Sequence, residues 1–222
     1  MSKLIYTLLL MFLVAGCETP KFGGAVKTNL TNNDPNAIIV VRTIPEGVSN
    51  LGISLKHYDI NDQKWLDKQG SFLNSYLKDQ GFIFVNAVPG QLVVESAELQ
   101  PNWHICFHSN TLAFNVTPGK VHYLGTIKEQ NYVEAIMDQA VQAGETKIRS
   151  SENKYYIQDE LAPYFKPPAE DDLKLLNDYM RINLPEVSAE IVVPELIKTT
   201  YPKPGKPRFA SIRCTSNEND RM

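Results

Sequence analysis

Positions 103–108 read Trp-His-Ile-Cys-Phe-His, the densest set of metal-ligating residue types in the chain. Alternate side chains of a strand share a face, so His104, Cys106 and His108 would line one side. Trp103, Ile105 and Phe107 would line the other. Imidazole and thiolate are good ligands for zinc or copper. Three ligands in a row need a fourth from elsewhere to complete a tetrahedron, and His122 or His57 would supply it. The competing reading takes Trp103, Ile105 and Phe107 as a core stripe, which leaves two surface histidines and a cysteine free to form a disulfide. That reading is preferred, and neither a metal nor any other cofactor is expected. Nucleophilic catalysis finds no support: G-x-S-x-G, H-E-x-x-H and the phosphate-cradling G-x-x-x-x-G-K are all missing. The acidic pairs Glu95/Glu98 and Asp171/Asp172 read better as a solvated edge and a helix start. No catalytic residue is assigned, and the chain is not expected to be an enzyme.

The remaining chemistry is at Cys17. Lys3 gives a short positive start, Leu4 to Val14 form an apolar run broken only by Thr7, and Ala15-Gly16-Cys17 closes it with small residues. That order is a secretory signal. The run is about half of the roughly 20 residues that span a bilayer, so a stable transmembrane helix is not expected. Val14-Ala15-Gly16-Cys17 resembles the lipobox of bacterial lipoproteins. The resemblance implies a diacylglyceryl group on the Cys17 sulfur and cleavage just before that residue. Two or three acyl chains anchor a protein stably where one does not, at about 0.8 kcal/mol per buried CH₂. Glu18, rather than Asp, follows the cysteine, which under the enteric sorting pattern implies the periplasmic face of the outer membrane, with the inner membrane or the cell surface as alternatives.

Composition agrees with an exported globular body. The chain has 222 residues, 43% hydrophobic content and a formal net charge of −3, and nothing in it resembles a nucleic-acid footprint. Besides Cys17 the cysteines are Cys106 and Cys214. An oxidising compartment permits them to pair, closing a loop of roughly 100 residues worth about 4 to 5 kcal/mol in the chain-entropy model. Pairing is favoured over two separate thiols.

The elements that must position these residues follow from periodicity. Residues 1–16 are the signal peptide, and 17–36, rich in Gly, Asn, Thr and Pro, read as a tether of roughly 25 Å reach. Strand patterns then run through Ala37–Ile44, Gly52–Tyr58, Phe82–Val88, Leu92–Leu99, Trp103–His108, Thr111–Thr117 and Val121–Ile127. Val88-Pro89-Gly90-Gln91 and Thr117-Pro118-Gly119-Lys120 each join two strands with the residues a type II turn requires. Lys64 to Gln80 fits either a short helix or an elaborated hairpin. Asn131–Ala143 and Glu170–Leu184 have helical spacing, the latter with Glu170, Asp171 and Asp172 at its positive end. Short strands are expected at Lys154–Gln158 and Ala189–Val193. The expected fold is an antiparallel β-sandwich over 37–197 with two or three helices in the C-terminal third, and 198–222 as an extended Pro-rich, basic tail. Tyr155-Tyr156, Tyr164-Phe165 and Tyr201 would line a contact surface or, more simply, belong to the core and edges.

The segments FIFVNAVPGQLVVES and LAFNVTPGKVHYLGTI are similar to small lipoprotein sandwich domains of proteobacteria, described as transthyretin-like or carboxypeptidase-regulatory-like. The similarity spans about residues 37–193, and it implies a fold but no activity. The functional expectation is a membrane-anchored, non-catalytic binding or scaffold module of the cell envelope, with an envelope protein as its possible partner. An accessory lipoprotein of a secretion or assembly machine is the alternative, and an envelope metal-binding protein or hydrolase the second.

Overall fold

A computed structural model describes residues 29–44, 51–74, 81–99, 103–108, 111–128, 130–132, 134–135, 138, 155–158, 164–201 and 214. The signal segment and Cys17 lie outside the described residues.

The chain forms a β-sandwich with a helix packed on one of its sheets. Its strands are β1 (Ala37–Ile44), β2 (Leu51–Asp59), β3 (Lys64–Trp65), β4 (Ser71–Asn74), β5 (Phe82–Ala87), β6 (Gly90–Leu99), β7 (Trp103–Cys106), β8 (Thr111–Val116), β9 (Lys120–Lys128), β10 (Tyr155–Gln158), β11 (Glu190–Val192) and β12 (Ile197–Thr199). Helix α1 spans Glu170–Asn183, and the described positions between 130 and 138 are also helical. The smaller sheet has the order β11-β9-β1-β5. In the larger sheet β6 pairs with β2 along one edge and with both β7 and β8 along the other. β10 extends β7, β12 extends β8, and β3 and β4 share the far edge of β2. Antiparallel pairs dominate, as expected, but β1/β9, β9/β11 and β7/β10 are parallel. The described part of Lys64–Gln80 is therefore the elaborated hairpin rather than the helix.

β1 explains the layering. Ala37, Ile39 and Val41 enter the core between the sheets, while Ile38 and Val40 enter a second core under α1. A strand that apolar on both faces must be covered twice. Each fully buried Val or Ile contributes about 1.5 to 3 kcal/mol relative to exposure. Leu176, Tyr179 and Met180 of α1, with Leu184 just after it, close the second core, with Tyr179 against Phe82 and Phe84 at 5.3 and 5.4 Å between ring centres. The apolar circumference of α1 is wider than its contact: Leu175 and Ile182 remain 41% and 67% exposed.

One acid ties the helix to the sheet. Asp172 accepts the Ala169 N–H at 3.0 Å, taking up one of the amides that a helix start leaves without an intrahelical partner. Its other oxygen accepts from Arg42 Nη1 of β1 at 2.8 Å. The guanidinium also lies over the Phe82 ring, 6.0 Å from its centre.

The two Pro-Gly junctions have the same topological role. β5 and β9 belong to the smaller sheet and β6 and β8 to the larger, so both junctions are corners that carry the chain between sheets. Since Gly90 pairs with Val116, the two corners are neighbours at one end of the sandwich. Gly119 has φ +65°, and a Cβ there would lie 2.2 Å from the Asn32 carbonyl oxygen. Only glycine fits.

Two boundaries differ from the expectation. Leu30 is fully buried in the core under α1, Ser188 N donates to its carbonyl at 3.0 Å, and Gly119 N donates to Asn36 O at 2.7 Å. The packed body thus begins by Leu30, inside the stretch 17–36 read as tether. At the other end β12 pairs with β8 and Tyr201 is buried, so the boundary at 198 cuts through a strand of the larger sheet. Both misses have one cause, a lone apolar residue docking from a polar or Pro-rich stretch without periodicity.

Replacing Asp172 by Ala is expected to cost about 1.5 to 3 kcal/mol, because a charge-assisted bond and a helix-start contact are lost together. Urea denaturation monitored by circular dichroism measures it; a loss under about 0.5 kcal/mol would assign the link no energetic role.

Candidate functional site

The metal constellation does not assemble. Cys106 is disulfide-bonded to Cys214 across 5.3 Å between Cα atoms, which leaves no thiolate for a metal. The His108 ring meets Tyr201 edge-on at 4.9 Å. His57 and His122 are buried, each behind one of the two corners. His104 lies on β7, with its side chain outside the described residues. Among the described residues no group of three His, Cys, Asp or Glu side chains could hold a metal ion.

What the alternation of β7 does build is a covered outer face. Ile105 and Phe107 enter the core between the sheets, as the stripe reading expected, and Cys106 lies on the opposite side, fully buried. On β6 the pattern slips by one. Leu92, Val94 and Ala97 enter the core, so Glu95 and Ser96 together occupy one step of the alternation. The pairing with β2 jumps at the same place, with Ser54 opposite Ser96 and Leu55 opposite Val94. This is a β-bulge, which re-aims side chains and carbonyls locally.

The bulge organises the outer face. The Glu95 carbonyl accepts the Phe107 N–H at 3.1 Å and the Tyr201 hydroxyl at 2.5 Å. Its carboxylate, nearly buried, pairs with Lys56 Nζ at 2.8 Å. Tyr201 N donates to His108 O at 2.9 Å. Around these bonds pack Tyr58, Val93, Ala113 and Trp65; ring centres of Tyr58 and Trp65 are 4.7 Å apart, and those of Trp65 and Tyr201 4.8 Å. Such separations are ring-on-ring contacts, with no room for a ligand between them. Burial pushes the Tyr201 phenol far above its usual range and raises that of Tyr58, so both remain neutral; the Tyr201 hydroxyl donates to the Glu95 carbonyl, while that of Tyr58 is buried without a hydrogen-bond partner. Glu95, read from sequence as a solvated edge, is the corrected residue here. An alternation broken by two adjacent polar residues, Glu95-Ser96, was the available signal.

The face is thus closed by the chain's own C-terminal segment. β12 pairs with β8, Tyr201 plugs the aromatic cluster, and Cys214 clasps Cys106. Of the aromatic residues read as a contact surface, Phe165 and Tyr201 are buried and Tyr164 is 72% exposed. Tyr155 and Tyr156 lie on β10, with side chains outside the described residues. Exposed large apolar residues, among them Ile182, Val193 and Phe72, are distributed over α1, the β11–β12 connection and β4. Singly placed apolar residues are ordinary surface.

No helix among the described residues is long and apolar enough to cross a membrane. No protein-family model matches the chain, and neither a curated protein nor a solved structure is significantly similar to it.

Two substitutions separate the clasp from the plug. Cys214→Ser is expected to lose about 4 to 5 kcal/mol under oxidising conditions, and reductant should bring the wild-type protein to the same stability. Tyr201→Phe removes one bond and leaves a buried carbonyl with one partner fewer, for a loss of about 1 kcal/mol. Urea titrations with and without dithiothreitol measure both. A Cys214→Ser variant as stable as wild type would remove the clasp from the account.

Proposed function

We propose that the chain is a lipid-anchored protein of the bacterial envelope whose sandwich serves as a non-catalytic binding or scaffold module. The observation that carries the reading is Val14-Ala15-Gly16-Cys17 at the end of a short apolar run with a basic start. Lipid on that sulfur would place the body at a bilayer surface with no need for a spanning helix.

Three further observations support it. The Cys106–Cys214 bond suits an oxidising compartment such as the periplasm. Leu30 already belongs to the body, so at most about a dozen residues separate it from Cys17; a coil of that length would reach roughly 20 Å, enough to clear the headgroups and keep the body close to the membrane. On the outer face the Glu95 and His108 carbonyls hold the chain's own C-terminal segment, as in a structural module rather than an open reaction centre. Glu18 after the cysteine favours the outer membrane.

Fractionation tests the anchor. Wild-type protein is expected in the membrane pellet and to leave it only with detergent, whereas Cys17→Ser should appear in the soluble fraction or stall as an uncleaved form. Equal pelleting of both proteins, with the same detergent requirement and the same size, would remove the lipid from the account.

A further inference from the structure

At the end of the sandwich where the two Pro-Gly corners meet, each sheet directs one histidine inward. His57 follows Leu55 on the core side of β2, and its ring lies against Gly90, where a Cβ would come within 3.1 Å of Nδ1. His122 of β9 is 2% exposed and lies behind the Thr117-Pro118-Gly119 corner. The Thr117 N–H points at His122 Nε2 across 3.0 Å, so Nε2 is the acceptor and the proton of the neutral ring sits on Nδ1. Nδ1 is buried and has no hydrogen-bond partner.

That corner is the seat of the N-terminal segment. Gly119 N donates to Asn36 O at 2.7 Å, and the Gly119 Cα is packed against the Asn32 backbone. The same segment takes Ser188 N on Leu30 O at 3.0 Å and Glu190 N on Asn32 Oδ1 at 3.1 Å. A contiguous path therefore runs from the His122 ring through the Thr117–Gly119 corner to residues 30–36.

We propose that His122 is an acid-operated latch on the N-terminal segment: the neutral ring holds the corner that seats residues 30–36, and protonation of the ring unseats them. A doubly protonated imidazole cannot accept the Thr117 N–H, and two N–H groups facing each other across 3.0 Å drive the corner away. Thr117 O at 3.2 Å and Thr117 Oγ1 at 3.3 Å are within reach of a proton on Nε2 and offset part of that repulsion.

The surroundings bias the latch closed at neutral pH. Among the described residues, the charged and titratable groups at this end are Lys120 on the same strand, Glu190 of β11 paired with Lys120 at 2.6 Å, Asp34 within the segment, and His57 with Lys68 across the sandwich. Lys120 acts on the ring directly and, as a cation, opposes its protonation. Burial first, and Lys120 with it, hold the pKa of His122 below its ordinary value near 6.5, although the Thr117 backbone offsets part of the shift. A lowered pKa in the folded state means that the unfolded or unseated form binds the extra proton. The latched state therefore keeps its full stability above about pH 6.5 and loses it as pH falls below that value. The inference concerns the chain's own packing and does not depend on lipid at Cys17.

Amide hydrogen exchange on the full chain, read residue by residue by NMR between about pH 7.5 and 4.5, tests it. The reporters are Gly119, Ser188 and Glu190, the three amides that donate to the segment; protection factors remove the intrinsic pH dependence of exchange. All three are expected to lose protection by roughly tenfold, about one net hydrogen bond's worth, with the midpoint at which the His122 Cε1–H shift titrates. His122→Gln keeps an acceptor but cannot titrate, so its protection should stay flat, while His57→Gln should keep the wild-type response. Protection unchanged through the ring's titration, a different midpoint, a response retained in His122→Gln, or a ring that never titrates in this range would each overturn the latch. If His122→Gln does not fold, coincidence of the wild-type midpoints decides.

Discussion

The constraint on which the fold rests is the double burial of β1. Ala37 to Val41 are five consecutive residues with essentially no exposure, and a strand of that kind needs an apolar layer on each side. The larger sheet supplies one layer and α1 the other. Much of the rest follows. The chain must cross between sheets, which places Pro-Gly corners at Val88–Gln91 and Thr117–Lys120. The helix must be oriented over the sheet, and Arg42, the first residue of β1 past the buried run, does so by gripping Asp172 at the helix start. Even the N-terminal segment belongs to this arrangement, because Leu30 fills the end of the core that β1 and α1 enclose.

The larger sheet meets the same requirement on its outer side by a different route. There the cover comes from the C-terminal segment, of which β12, Tyr201 and Cys214 are described. A few strong attachments do the work: the β12 pairing, the Tyr201 hydroxyl on the bulged Glu95 carbonyl, and the Cys106–Cys214 bond. Both ends of the described chain are thereby sewn to the sandwich. On the proposed reading of a lipid anchor at Cys17, such stitching would keep the described body a single unit.

Legibility in the sequence tracked periodicity. β1 was readable because Ile-Ile-Val-Val after Ala37 is an unbroken β-branched run, and α1 because three acids stand at the start of a 3.6-residue repeat. The corners were readable as turns from Pro-Gly, but not as crossings between sheets, since turn chemistry does not say which sheet receives the next strand. The parallel pairings of β1 with β9 and of β9 with β11 were invisible for the same reason: register between distant strands leaves no local mark. Leu30 and Tyr201 each dock alone, so neither formed a pattern. His57 and His122 drew attention as potential ligands by residue type, whereas their burial behind the corners depends on the two sheets meeting. Leu175 and Ile182 overstated the helix's contact, because an apolar residue near the margin of a helix face has the same identity whether covered or not.

The central claim joins this stitched body to a lipid on one sulfur, and intact mass tests it most directly. Protein extracted from membranes under non-reducing conditions should have the mass of residues 17–222 plus a diacylglyceryl group, with or without an amide-linked acyl chain, and minus two hydrogens for the Cys106–Cys214 bond. A mass that retains residues 1–16, or a mature chain with no acyl addition on Cys17, would contradict it.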